Sequence, residues 1–181
     1  MLISRLLKLV YLSFRPVVEN LFETNQAVRI LILHLFKMNK GGPIIVIEDD
    51  MDDQAILHEI FTELNYPNEL LFFKDGEEAL KYLVDSEVQP FLVLSDINMP
   101  KLNGIQLREK VVNNEDLRLK SIPYLFFTTT AEQQHVIDAY SRSIQGFFIK
   151  APNYEQLKST MRKIVEYWQE CVSPHYIKNA Q

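Results

Sequence analysis

The chain has 181 residues, a formal net charge of −5, 47% apolar residues and 24% charged residues. This length allows one ordinary domain with a modest extension, and the composition is typical of a globular protein. The negative charge argues against a nucleic-acid-binding surface, which normally has a basic excess. Cys171 is the single cysteine, so the chain cannot form an internal disulfide, and a reducing cytoplasm is the expected location.

Residues 1–42 are predicted to form an N-terminal extension. Its two apolar runs, 6–12 and 28–36, are far shorter than the roughly 20 residues that span a bilayer, so no membrane partner is expected. Three interpretations remain open. Translation of the native protein starts near Met38, or the extension forms an extra packed helix, or it acts as a peripheral anchor or a signal.

From residue 43 onward, short apolar runs alternate with segments of helical spacing. Each apolar run is predicted to be a strand and each following segment a helix, and the last helix reaches residue 171. Five such β–α units predict a doubly wound, five-stranded parallel sheet of flavodoxin-like order 2-1-3-4-5. The domain is therefore predicted over 43–171, with a tail over 172–181. The predicted strands are residues 44–47, 70–73, 91–94, 124–127 and 146–149.

Polar residues follow four of these strands directly. Glu48 and Asp49 come after the first strand, Asp96 after the third, Thr128 after the fourth and Lys150 after the fifth. In the order 2-1-3-4-5 these four strands are neighbours, and the carboxyl ends of parallel strands meet at one edge. The five side chains are therefore expected to converge, although they are far apart in the sequence.

Three converging carboxylates repel each other unless a cation neutralises them, and hard oxygen ligands with open positions suit Mg²⁺. The ion would also offset the repulsion between a carboxylate and an incoming phosphoryl group. A lysine ammonium and a threonine hydroxyl can then contact the phosphoryl oxygens. These residues predict a site for an acyl phosphate. The neighbouring Asp50, Asp52 and Asp53 are interpreted as capping charges of the first helix.

Four blocks, residues 44–50, 91–104, 123–131 and 146–152, resemble the signature blocks of response regulator receiver domains. The resemblance covers about residues 43–171. It implies that Asp96 is the phosphoacceptor and that Mg²⁺ is the cofactor. The implied metal ligands are Glu48, Asp49, Asp96 and the backbone carbonyl of Asn98. The implied phosphoryl contacts are Thr128 and Lys150, and the implied switch residues are Thr128 and Phe147. The resemblance also implies that Asn98 and Thr130 tune the lifetime of the phosphoryl group.

More narrowly, residues 73–79, 128–130 and 167–168 are similar to single-domain, CheY-like regulators that partner phytochrome-type and other sensor kinases. One feature departs from the family, which usually has a proline with a cis bond directly after the lysine. Here Ala151 separates Lys150 from Pro152. The loop either keeps a cis bond at Ala151 or is rebuilt around the proline, so the reach of the lysine toward Asp96 is open.

The resemblance implies a stand-alone response regulator that is phosphorylated by a sensor histidine kinase or a histidine phosphotransfer protein. It implies no enzyme activity beyond the chain's own phosphorylation and dephosphorylation. Only about ten residues follow the last helix, so output is expected through contact with an unidentified downstream protein or through onward relay of the phosphoryl group. The end of the last helix, with Tyr167 and Cys171, is a candidate homodimer surface.

Two alternatives are kept. An aspartate-nucleophile phosphatase would need a second aspartate two residues after the first, where this chain has Asn98. A receiver-like binding module that is never phosphorylated is the other alternative, because the displaced Pro152 could misplace Lys150.

Overall fold

The computed structural model describes residues 39–129 and 133–171. The expectations for residues 1–38, for Thr130 and for the tail 172–181 fall outside the described residues. Within the described ranges, no helix combines the length and the apolar character that a membrane crossing requires.

The described residues form a five-stranded parallel sheet in the order β2-β1-β3-β4-β5. The predicted sheet and its strand order are therefore confirmed. The strands are β1 (Ile44–Ile47), β2 (Leu70–Phe73), β3 (Leu92–Ser95), β4 (Tyr124–Thr128) and β5 (Gly146–Ile149). The helices are α1 (Met51–Leu64), α2 (Gly76–Asp85), α3 (Gly104–Asn113), α4 (Glu115–Leu119), α5 (Gln133–Ser141) and α6 (Tyr154–Glu170).

The bounds of two strands and one short helix differ from the sequence-based expectations. β3 begins and ends one residue later than predicted, and β4 includes Thr128. The short helix α4 was not predicted as an element. Asn114 caps it by accepting a hydrogen bond from Leu117 N at 3.1 Å, and the Leu117 side chain is buried. Five residues are too few for a helical period to be read from the sequence.

Alternation along β1 explains how the core is divided. Ile45 and Ile47 pack on one face of the sheet, where α2, α3, α4 and α5 contribute buried residues or partly buried neighbours. Ile44 and Val46 pack on the other face with residues of α1 and α6. A parallel sheet covered on both faces needs wholly apolar strands, and all four residues of β1 are buried. The helical layers leave the strand ends as the place for polar groups.

Candidate functional site

The backbone hydrogen bonds of the sheet continue one residue beyond three of the strands. Glu48 N donates to the last carbonyl of β2 at 2.9 Å, and Asp96 N donates to the last carbonyl of β1 at 2.9 Å. Lys150 N donates to the last carbonyl of β4 at 2.8 Å. Three of the predicted site residues therefore have backbones that are fixed by the sheet itself.

The carboxylates of Glu48, Asp49 and Asp96 lie together, with one oxygen of each within 4.8 Å of the others. Glu48 is 2% exposed and Asp96 is 8% exposed, whereas Asp49 is open to solvent. This set of hard oxygen donors with an open side fits Mg²⁺, which keeps several water ligands when it binds to proteins. The structure thus brings together the three carboxylates that the sequence placed at one edge.

Burial has a marked effect on the pKa of Glu48. Burial raises the pKa of the Glu48 carboxyl to about 7, although the hydrogen bond and the charge of Lys150 act in the opposite direction. The nearby negative charge of Asp96 also raises this pKa. A cation bound beside Glu48 would favour the charged form of this carboxyl.

Lys150 is nearly buried and contacts the acidic residues directly. Its Nζ atom lies 2.5 Å from Glu48 Oε2 and 2.6 Å from Asp53 Oδ2, but 3.9 Å from Asp96 Oδ2. Burial by itself would lower the pKa of Lys150, but the hydrogen bonds to Asp53 and Glu48 outweigh burial and raise it. The described residues contain no cis peptide bond, so the loop after Lys150 follows the rebuilt alternative.

Asp53 differs from the interpretation of the sequence. The N-cap role belongs to Asp50, whose Oδ1 accepts hydrogen bonds from Asp52 N at 2.8 Å and Asp53 N at 3.2 Å. Interpreting Asp53 as a capping charge only was wrong, since its carboxylate forms an ion pair with Lys150. The contact joins residues 97 positions apart in the sequence, so no local sequence pattern predicts it.

The carboxylate of Asp96 is oriented by its own loop. Ile97 N donates to Asp96 Oδ1 at 2.6 Å. A Cβ atom at Gly104 would lie 2.1 Å from the backbone oxygen of Asp96, so only glycine allows the start of α3 to approach this loop. Sequence reasoning did not assign a role to Gly104, although a glycine at a predicted helix start soon after the aspartate was an available signal.

Lys101 ties the loop after Asp96 to the start of α2. Its backbone has a φ of 62°, and its Nζ atom lies 2.5 Å from Asp75 Oδ2. Asp75 is buried and caps α2 by accepting hydrogen bonds from Glu77 N and Glu78 N at 3.0 and 2.9 Å. The hydrogen bond from Lys101 lowers the pKa of Asp75. This second ion pair was also missed in the sequence.

The two predicted switch residues lie on neighbouring strands. Thr128 at the end of β4 is fully buried, and its Oγ1 has no hydrogen-bond partner within the described part of the chain. Buried hydroxyls are normally satisfied, so this atom marks a place where a further polar group would be accommodated. Phe147 in β5 is half-buried, and its ring lies edge-on to Phe126 with centroids 6.2 Å apart. Asn98 is exposed in the loop after β3.

Comparisons with known proteins agree on one family. Residues 44–162 match the family described as "Response regulator receiver domain". The chain is 30% identical over 129 residues to "Probable methanogenesis regulatory protein FilR2" of Methanothrix harundinacea, covering 69% of this chain and 82% of that protein. It is 27% identical over 140 residues to "Response regulator Rcp1" of Synechocystis sp., covering 75% and 94%.

A solved structure supports the same relationship. The Mn²⁺-bound form of response regulator Rcp1 superposes with a TM-score of 0.63 at 27% identity, covering 72% of this chain and 96% of that one. Fold and site define an α/β domain that gathers acidic groups at the carboxyl ends of a sheet ordered 2-1-3-4-5. The chain belongs to the response regulator receiver domain family of two-component signalling.

Proposed function

We propose that Asp96 accepts a phosphoryl group from the phosphohistidine of a sensor histidine kinase or of a histidine phosphotransfer protein. The observation that carries this proposal is the cluster of three carboxylates within 4.8 Å at the strand ends of a receiver domain. Glu48, Asp49, Asp96 and the backbone carbonyl of Asn98 would hold Mg²⁺. When bound, the ion would offset the repulsion between the carboxylate and the incoming phosphoryl group.

The chain's own residues prepare Asp96 for this reaction. The N–H of Ile97 holds one carboxylate oxygen, and Lys150 places a positive charge 3.9 Å from the other. The hydroxyl of Thr128 is buried and has no partner among the described residues, so it is available to donate to a phosphoryl oxygen. Lys150 and Thr128 are therefore the proposed phosphoryl-contacting residues.

Phosphorylation would change the surface made by α5, β5 and α6. The phosphoryl group would carry about two negative charges where the carboxylate carried one, and its new acceptor oxygens favour a movement of Thr128 toward it. The half-buried ring of Phe147 would then fill the space that Thr128 leaves. Ile137, Tyr140 and Ile149 are exposed apolar residues on this surface, and a downstream protein that contacts it would read the change. Asn98 and Thr130 would tune the phosphoryl lifetime.

The proposal includes two further points. The chain acts as a phosphoacceptor in the cytoplasm and has no activity on other substrates, which fits Asn98 at the position where a phosphatase would carry its second aspartate.

Homodimers would form through the end of α6, where Tyr167 is 63% exposed and its ring lies 5.2 Å from that of Trp168. Sedimentation that showed monomers alone, with and without phosphorylation, would rule out the dimer.

The test of phosphorylation is incubation of the full chain with acetyl phosphate and Mg²⁺, followed by mass spectrometry. We expect a mass increase of one phosphoryl group that depends on Mg²⁺ and is abolished by Asp96→Asn. Asp116→Asn is a matched control, since Asp116 is an exposed aspartate in α4, and it should be labelled normally. Labelling that persists in Asp96→Asn would place the phosphoryl group elsewhere, and a chain that takes no label would be a binding module.

A further inference from the structure

We propose that Asp53 is a positioning residue that holds the ammonium of Lys150 away from Asp96 in the resting chain and competes with the phosphoryl group for it. This inference rests on the proposed function, and it concerns a residue whose carboxylate lies outside the three-carboxylate cluster.

The position of the ammonium is set by its short contacts. Lys150 Nζ is 2.6 Å from Asp53 Oδ2 and 2.5 Å from Glu48 Oε2, whereas Asp96 Oδ2 is 3.9 Å away. The Lys150 side chain is 9% exposed, so water cannot readily replace a lost partner. Two carboxylates therefore hydrogen-bond to the ammonium of Lys150 before any phosphoryl group arrives, and Asp96 is its more distant third ion-pair partner.

The two partners of Lys150 differ in their surroundings. Glu48 is 2% exposed and belongs to the three-carboxylate cluster. The carboxylate of Asp53 is 34% exposed and lies in the first turn of α1. Water can hydrate Asp53 if its ion pair opens, and Mg²⁺ on Glu48 would weaken the attraction of that carboxylate for the ammonium. With the ion bound, Asp53 would be the main competitor of the phosphoryl group, and its contact weakens the attraction of Lys150 for that group.

The chain provides a close control for the charge of Asp53. Asp52 is the preceding residue in the same helical turn, carries the same charge and is exposed. It is not among the ion-pair partners of Lys150 that the described residues supply. Removing the charge of Asp52 changes the general electrostatics of the turn, whereas removing that of Asp53 also releases the ammonium.

The experiment measures the affinity of the full chain for beryllofluoride, which stands in for the phosphoryl group, at saturating Mg²⁺ by ¹⁹F NMR. We expect Asp53→Asn to bind beryllofluoride about fivefold more tightly than the unchanged chain, which corresponds to about 1 kcal/mol. Asp52→Asn should tighten binding by less than about twofold, in keeping with a screened surface charge. Asp53→Glu restores the carboxylate and should return the affinity toward that of the unchanged chain.

Asp53→Ser removes the same charge with a residue that suits a helix start, and it should reproduce the tighter binding if Asp53→Asn folds poorly. Equal effects of Asp53→Asn and Asp52→Asn, or weaker binding by Asp53→Asn, would overturn the role of Asp53 while leaving the proposed function intact. An unchanged chain that binds no beryllofluoride would overturn both.

Discussion

Two nearly buried cations occupy different regions of the molecule and have different kinds of partner. Lys150 lies at the carboxyl ends of the strands among carboxylates. Arg108 lies in α3 and is 7% exposed, and its Nε and Nη2 atoms donate to the backbone carbonyls of Arg142 at 3.1 Å and Ser143 at 2.6 Å. Its guanidinium also lies over the ring of Tyr124, 5.1 Å from the centroid.

The difference between these partners indicates the role of each region. The carbonyls that Arg108 contacts are neutral and lie just beyond the end of α5, so Arg108 joins α3 to that end as a fixed contact. Burial lowers the pKa of Arg108, yet the group stays charged at any physiological pH. The carboxylates around Lys150 are groups that a divalent ion would also bind. We therefore expect Lys150 to exchange partners when an ion or a phosphoryl group binds, and Arg108 to keep its contacts.

The largest effect is expected from Arg108→Met. The variant leaves two backbone carbonyls without their donors and removes a packed side chain, so we expect a loss of about 3 kcal/mol in the free energy of unfolding. Chemical denaturation measures this loss, and the affinity for Mg²⁺ should not change. A loss below about 1 kcal/mol would contradict the proposed difference between Arg108 and Lys150, because Arg108 would then contribute no more to stability than a surface residue.

A smaller and conditional effect is expected from Lys150→Met. Without metal, the variant leaves the nearly buried Glu48 and Asp96 without their cation, and we expect a loss of about 2 kcal/mol. Saturating Mg²⁺ should recover most of this loss, because the ion neutralises the same carboxylates. Denaturation with and without Mg²⁺ measures the difference. An equal loss in both conditions would mean that Lys150 is as fixed as Arg108.

Thr128→Val should alter stability by less than about 1 kcal/mol and in the stabilising direction, because it removes a buried hydroxyl without a partner and keeps a similar shape. The variant should still be labelled by acetyl phosphate. It should lose the change in surface contacts, which hydrogen exchange of α5 and β5 would detect. A clear loss of stability would instead show that the hydroxyl is bonded in the resting chain.

Asp75→Asn is expected to have the smallest effect, a modest loss of stability at neutral pH that disappears as the pH falls. The pKa of Asp75 is lowered by Lys101, so its contribution to stability is present above the usual carboxyl pKa and is lost as the pH falls through the lowered value. Asparagine keeps the cap of α2 but not the ion pair. The variant should therefore show a shallower loss of stability below about pH 4. An unchanged slope would exclude Asp75 as a source of acid sensitivity.

The sheet was predictable because its information is local. Wholly apolar runs such as 44–47 indicate strands covered on both faces, and the alternation with helices indicates parallel order. The convergence of Glu48, Asp49 and Asp96 followed from that order. The contacts of Asp53 and Arg108 could not be predicted, because each joins a helix to a loop far away in the sequence. The partner of Asp53 lies 97 residues away, and the two partners of Arg108 lie 34 and 35 residues away.

Calorimetric titration of the full chain with Mg²⁺ is the most direct test of the acidic site. We expect one ion to bind per chain, with binding strongly weakened by Asp49→Asn and unchanged by Asp85→Asn, an exposed aspartate at the last residue of α2. Absence of binding by the unchanged chain, or equal binding by Asp49→Asn, would contradict a magnesium site formed by Glu48, Asp49 and Asp96.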